Sequence, residues 1–433
     1  MRITAGKATI CSIAALMAGL GLGMPAAADP GADAARIIAS PAFKTAATSI
    51  ENEYQRIVDE GIKLTEIPAP PFKEEKRGKE FAAMVKAAGL SDVKIDPEGN
   101  VLALRKGTKG DGKFVVVSAH LDTVFPEGTD VKVKRQGTKL MAPGIGDDTF
   151  SLAVLLSQIR AMQAANIKTH DDILFVATVG EEGQGDLRGV RYLFTKGEYK
   201  GKIKAFFSIE AGDVATITNG GVGSRRYRVT FKGPGGHSYG AFGLVNPMYA
   251  LSQAATEFSR LQVPTSPKTT YGIGVIGGGT SVNSIPLEVW MEVDMRSESV
   301  NELKRVEERM MSIVQAAADS ENFNRSTKEG RITVESKLIG DRPAGNTDAK
   351  VDLVQQAAAA IAANGYKVEY QWSSTDSNIP MNLGVPAITI GRAGPGKGGR
   401  AHSLDEWVDV EKGPLVKAAA TGLSIILTAT GME

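Results

Sequence analysis

The chain has 433 residues, one cysteine, four histidines and a formal charge of +1, with basic and acidic residues almost balanced. That balance makes no electrostatic case for nucleic acid or an anionic membrane surface as a partner, and a lone cysteine leaves no intramolecular disulfide. Roughly 400 residues beyond the N-terminal segment exceed one hydrophobic core, so two domains are expected.

Residues 1–28 read as a signal peptide. Arg2 and Lys7 give a basic start, Ile10 to Met24 is apolar, and Ala26-Ala27-Ala28 before Asp29 is a small-residue cleavage site. A membrane-spanning anchor is the competing reading; the stretch is short, carries Gly19, Gly21 and Gly23, and ends in a cleavable pattern. Cys11 lies inside this segment after Ala8-Thr9-Ile10, a poor context for lipid attachment. The mature chain is therefore expected to be periplasmic or secreted, without a membrane anchor after cleavage. It has no thiolate, so any zinc ligands must be histidine and carboxylate. Without Arg2 and Lys7 the formal charge falls to about −1.

Residues 35 to 64 read as helical, and Ile67-Pro-Ala-Pro-Pro71 breaks the chain. A helix over 74–88 leads to strands at 93–95 and 101–105. The apolar run from Phe114 to Val124 contains a buried strand ending at His120. A helix over 151–165, a strand over 173–179, a helix over 188–194 and a strand over 205–209 continue the alternation. Continuous apolar strands between helices predict a mainly parallel sheet covered on both faces. Near Gly220 the pattern changes: Ser224 to Phe231 alternates polar and apolar residues, as a half-exposed antiparallel strand does. A helix over 247–261, strands at 272–276 and 287–295, a charged helix over 300–318 and a strand at 332–335 complete an inserted α+β unit. The first pattern resumes with a helix over 351–363, strands at 368–371 and 387–390, and a C-terminal helix over 415–429. The predicted organisation is a catalytic domain of 29–221 and 337–433, interrupted by residues 222–336.

Clefts in open parallel sheets form beyond the carboxyl ends of strands. His120, Glu181-Glu182 and Glu210 each stand at or just past such an end, and Asp147-Asp148 precedes a helix whose N-terminus favours negative charge. His402 follows the Gly-rich turn from Gly394 to Arg400. His-x-Asp at the end of a strand puts His120 and Asp122 on one side, because strand side chains alternate. Taken singly, each feature has a bland origin: a hydrogen-bonded core histidine, a helix N-cap pair, a solvated turn. Together they place several carboxylates where burial is costly unless cations compensate them, and a pair of divalent metals would do so. Gly277-Gly-Gly279 lacks a following Lys-Ser/Thr and reads as a loop between strands, and His170 beside Asp171-Asp172 reads as a surface residue.

His120-Leu-Asp-Thr-Val-Phe-Pro126, Gly144-Ile-Gly-Asp-Asp148, Gly180-Glu-Glu-Gly183, Gly233-Pro-Gly-Gly-His-Ser238 and Asn283-Ser-Ile-Pro286 resemble the motifs of the di-zinc exopeptidase and deacylase family. Its members include carboxypeptidase G, peptidase T, acetylornithine deacetylase and succinyl-diaminopimelate desuccinylase. The resemblance runs in order through nearly all of the mature chain. It implies a zinc-binding α/β/α catalytic domain carrying a ferredoxin-like α+β lid or dimerisation domain, in agreement with the insertion. It implies two zinc ions per subunit, with cobalt able to substitute. His120 and Glu210 would hold one, Glu182 and His402 the other, and Asp147 would bridge them through a peptide bond to Asp148 that is cis in the family. Asp122 would orient His120, and Glu181 would accept the proton of the attacking water as general base. His237 would reach the active site of the other subunit of a homodimer as an oxyanion donor, and Asn283 and Arg296 would hold the substrate carbonyl or carboxylate.

Two departures bear on substrate: Thr149-Phe150 stands where Lys-Gly commonly follows the paired aspartates, and Ser373-Ser-Thr-Asp376 matches the family's Gly-rich segment only loosely. The expected activity is zinc-dependent exopeptidase action on short peptides. Deacylation of N-acyl amino acids is the alternative. A non-catalytic, metal-stabilised binding protein ranks third, because such a protein has no use for Glu181.

Overall fold

The computed structural model describes residues 29–433, so the signal-peptide expectation for 1–28 lies outside the described residues. The helical stretch expected from 35 to 64 is three helices, Pro30–Ala39, Pro41–Asn52 and Tyr54–Thr65. The first break is chemical: Ser40 is extended and its hydroxyl accepts from the Phe43 N–H, starting a new helix at Pro41, whose ring cannot continue the old one.

The catalytic sheet has nine strands. At its centre Asp172–Thr178, Phe114–His120, Ile203–Asp213 and Ala387–Ala393 lie side by side and parallel. Three of these are buried along their whole length, which is why they read as unbroken apolar runs. Each flank contains reversed strands, so the sheet is mixed rather than mainly parallel. Asp92–Ile95 and Val101–Arg105 form a hairpin whose second strand is antiparallel to Asp172–Thr178, closed by the Asp96 carboxylate, which accepts from the N–H groups of Glu98, Gly99 and Asn100. Thr216–Gly221 follows Asp213 after only two residues, too few for the crossover that a parallel neighbour needs. It runs antiparallel to Ala387–Ala393, which is inserted between it and Ile203–Asp213.

Helices cover both faces. On one, Phe150–Ala164, Asp352–Ala363 and Lys412–Thr430 pack with the N-terminal helices around Phe150, Ile159, Phe207 and Ile426. On the other, Arg188–Thr195 and Asn378–Asn382 enclose a smaller core of Val116, Leu193, Phe206 and Ile379. The apolar helix Lys412–Thr430 is long enough to span a membrane but is mostly buried in this core.

The inserted unit is a four-stranded antiparallel sheet in the order Thr269–Gly278, Glu288–Ser297, Gly223–Lys232, Thr333–Arg342. The helices Pro247–Phe258 and Val300–Asn324 close one face around Phe231, Phe258 and Met310. The βαββαβ order and this strand arrangement are ferredoxin-like. Its last strand does not stop near 336: pairing with Gly223–Lys232 continues to Arg342, opposite Ser224.

Candidate metal centre and catalytic site

The parallel strands end together and deliver their side chains to one cleft of about 880 Å³. His120 is the last residue of its strand and is 1% exposed. Its Nδ1 lies 3.0 Å from the Asp122 carbonyl oxygen, which can only accept, so this nitrogen carries the proton and the Nε2 lone pair faces the cleft. Nε2 stands 3.0 Å from Asp147 Oδ1 and 3.5 Å from Glu210 Oε2. The other Asp147 oxygen is 3.2 Å from His402 Nε2, which is also 2.8 Å from Glu182 Oε1. Asp147 thus faces one imidazole with each oxygen, and two donor sets, His120–Asp147–Glu210 and His402–Asp147–Glu182, share it.

The neighbouring acids are committed elsewhere. Asp148, joined to Asp147 by a cis peptide, accepts from the His120 N–H at 3.2 Å and from the Ser151 hydroxyl. A compact grouping of His120, Asp148 and Glu210 is also close enough to hold an ion; those two hydrogen bonds leave Asp147 the better ligand. The Asp122 carboxylate accepts the N–H of Glu181 at 3.0 Å and of Glu182 at 2.8 Å, so it fixes the glutamate pair, while its carbonyl orients the imidazole.

Electrostatics shows what this cluster lacks. Burial lowers the affinity of the His120 imidazole for a proton, yet Glu210, Asp147 and Asp148 hold its pKa well above the usual value. Hydrogen bonds to Asp147 and Glu182 push His402 up to about 10. Burial raises Glu182, and burial raises Glu181 well above the carboxylate range against the pull of Arg342. Buried carboxylates whose ionisation is opposed in this way are short of positive charge, which divalent cations supply. The donor set fits zinc. Ligand atoms of a tetrahedral site with bonds of about 2.0–2.1 Å stand about 3.3 Å apart, and the four imidazole–carboxylate separations, 2.8 to 3.5 Å, bracket that distance.

Glu181 is buried beside these ligands without belonging to either set. Its Oε1 accepts from Arg342 Nη1 at 3.1 Å, and Arg342 also donates to the Glu181 carbonyl. Arg342 was not foreseen, because its strand extends well beyond the expected segment. The cleft wall opposite the ligands is polar, with Thr218, Gln371 and Ser373 beside Arg226 and Arg296. Asp294 holds both of these arginines, its Oδ1 at 3.1 Å from Arg226 Nε and its Oδ2 at 2.7 Å from Arg296 Nε. Arg226 was also missed; directly opposite Asp294 in the sheet register, it is one of four basic residues in a strand whose alternation gave no reason to single it out.

His237 and Asn283 are not in this cleft. Both are exposed on the lid, in adjacent short strands and turns where His237 pairs with Ser284 and the Asn283 carbonyl accepts from the Ser238 N–H. His237 Nδ1 accepts from the N–H groups of Tyr239 and Gly240, which leaves Nε2 as the protonated donor.

The model of Peptidase family M20/M25/M40 matches residues 116–428, well over half of the chain. Solved structures share the fold. An aminopeptidase PepT from Bacillus cereus superposes with a TM-score of 0.69 at 22% identity, covering 87% of this chain and 98% of its own. A tripeptidase from Staphylococcus aureus gives 0.71 at 22% identity, with coverage of 87% and 99%. A dinuclear metal-binding peptidase from Bacillus subtilis gives 0.63 at 19% identity, with coverage of 87% and 99%.

Proposed function

Since the chain belongs to peptidase family M20/M25/M40, we propose that it is an exported, zinc-dependent exopeptidase that cleaves short peptides while holding their free carboxylate. The observation that carries this reading is the pair of donor sets sharing Asp147, with Glu181 buried beside them and outside both. Zinc held there would lower the pKa of a water towards about 7 and polarise the scissile carbonyl. His120, Asp147 and Glu210 would hold one ion, and His402, Asp147 and Glu182 the other. Glu181 takes the proton of the attacking water and passes it to the leaving amine. Arg342 keeps the carboxylate aimed and shares its charge.

The carboxylate preference rests on the arginines. Arg226 and Arg296 share a single carboxylate, so this wall carries excess positive charge. The two metal ions would occupy Asp147, Glu182 and Glu210, Arg342 occupies Glu181, and the remaining acid, Asp213, accepts from the Ala215 N–H in its own turn. A substrate carboxylate finds a forked donor here. The same arginines suit the carboxylate of an N-acyl amino acid, which keeps deacylation as the second reading.

A homodimer accounts for His237 and Asn283. The outer lid strand and its neighbours expose Val275, Ile276, Val282 and Leu287, an apolar surface suited to a second copy that would bring its His237 to this cleft. Export rests on the sequence of residues 1–28. The test is incubation of zinc-loaded protein with free-acid dipeptides and tripeptides, their C-terminal amides and N-acyl amino acids, with products identified by mass spectrometry. Release of terminal residues from free acids but not amides supports the reading. Equal cleavage of the amides defeats the carboxylate assignment, and absence of turnover defeats the enzyme assignment.

A further inference from the structure

The bridging ligand Asp147 lies in a loop that a distant side chain grips. Glu406 is 1% exposed, four residues after His402. Its backbone is placed by the antiparallel pairing of Trp407–Asp409 with Lys139–Met141 and by the Ala142 N–H, which donates to the Glu406 carbonyl at 3.1 Å. This puts its carboxylate beneath the turn from Gly144 to Asp147. Oε1 accepts from the N–H groups of Gly146 and Asp147, both at 2.6 Å, and Oε2 accepts from the Gly144 N–H at 3.1 Å. The Gly146 carbonyl is held in turn by Nη2 of the fully buried Arg392 at 2.9 Å. The approach is close enough that a Cβ at position 146 would stand 2.7 Å from Glu406 Oε1.

One short segment therefore supplies both the ligand His402 and the clamp on the ligand Asp147. His120 and Glu210, by contrast, are carried by sheet strands, whereas the hydrogen bonds of the Glu406 carboxylate go to the Gly144–Asp147 loop. We propose that Glu406 is a positioning residue that sets the affinity of the second metal site, His402–Asp147–Glu182, while the first site stays largely independent of it. The inference rests on the two-metal reading above. Its physical content is positional: three N–H groups held on one carboxylate tie the segment that carries His402 to the loop that carries Asp147, the two ligands that only the second site combines.

The test compares the full chain, stripped with chelator, against Glu406→Gln and Gly146→Ala in cobalt titrations followed by calorimetry and visible absorption. In Glu406→Gln one oxygen becomes an amide nitrogen that cannot accept, so part of the grip is lost with little change of volume. Gly146→Ala disturbs the same contact from the other side and serves if the first variant fails to fold. The expected result is two ions per wild-type chain. In each variant one site should change by less than about 3-fold and the other should lose about 10- to 100-fold in affinity, with an altered cobalt spectrum. A clamp that serves only the fold would lower the thermal stability of the apoprotein and weaken both sites together; that outcome, or two unchanged sites, overturns the proposal. A wild-type chain that binds fewer than two ions overturns the two-metal reading, and the inference with it.

Discussion

Replacing Glu181 by glutamine separates chemistry from metal binding. Glu181 is 5% exposed, and among the described residues the side chain hydrogen-bonded to its carboxylate is that of Arg342, 3.1 Å away. The amide oxygen of glutamine can keep that hydrogen bond, so the side chain stays in place, but the second oxygen becomes an NH₂ group with no lone pair to take a proton. Loss of a general base costs at least about 10²-fold in kcat. The structural cost is smaller than for deleting one partner of a buried ion pair, about 3–5 kcal/mol, because Arg342 keeps its bond and still faces Glu182, Asp186 and Asp376; about 1–3 kcal/mol is expected, the range for a weakened buried hydrogen bond to a charged group. Metal content should not change, since Glu182 is held through its own N–H by Asp122. The assay is steady-state hydrolysis of a free-acid dipeptide, with elemental analysis and thermal melting on the same preparation. Near-full kcat in the variant, or loss of zinc from it, refutes the division of labour between Glu181 and Glu182.

Three further outcomes are expected. Dialysed protein should carry two zinc ions per chain, and chelation should abolish turnover and lower the melting temperature, with cobalt restoring both; a metal-to-chain ratio of one that added metal cannot raise contradicts the shared Asp147. Arg296→Ala should raise KM for free-acid substrates about 10- to 100-fold, the loss of a charge-assisted pair of about 1.5–3 kcal/mol, with kcat much less affected; a pure kcat effect removes it from ground-state binding. His237→Ala should lose about 10²–10³-fold in turnover, and mixing it with Glu181→Gln should restore activity through heterodimers that hold one intact site. No recovery despite proven subunit exchange means that His237 does not act across an interface.

The parts legible in the sequence are those where one physical rule acts alone. Strands buried on both faces, such as Phe114–His120 and Ala387–Ala393, have no polar alternative and announce themselves. Acids that are costly to bury, set at the ends of such strands, point to cations by themselves. What escaped depended on partners remote in sequence. Thr333–Arg342 alternates charged and small residues because one face of the lid sheet is open, so only its first part resembled a strand and Arg342 was passed over. Lys134–Gln136 and Lys139–Met141 are short and mostly polar, and exist through pairing with Trp407–Asp409. Glu406 in Leu-Asp-Glu-Trp looks like a solvated turn acid; its burial comes from a loop about 260 residues earlier, as the Gly146 hydrogen bond records. The break at Ser40-Pro41 was readable from capping chemistry and was overlooked within a charged helical run.

The position of Ala387–Ala393 has a consequence for the order in which the molecule can assemble. This strand lies between Ile203–Asp213 and Thr216–Gly221, which are only two residues apart in the chain. Until it arrives, the first half of the catalytic domain is a sheet with an open slot and two unpaired edges, and His402 is still further along the chain. The polypeptide cannot finish its N-terminal half and then add the rest; it closes like a zip whose last tooth is made near the end. The sheet that carries His120 and Glu210 can therefore be completed only when most of the chain is available.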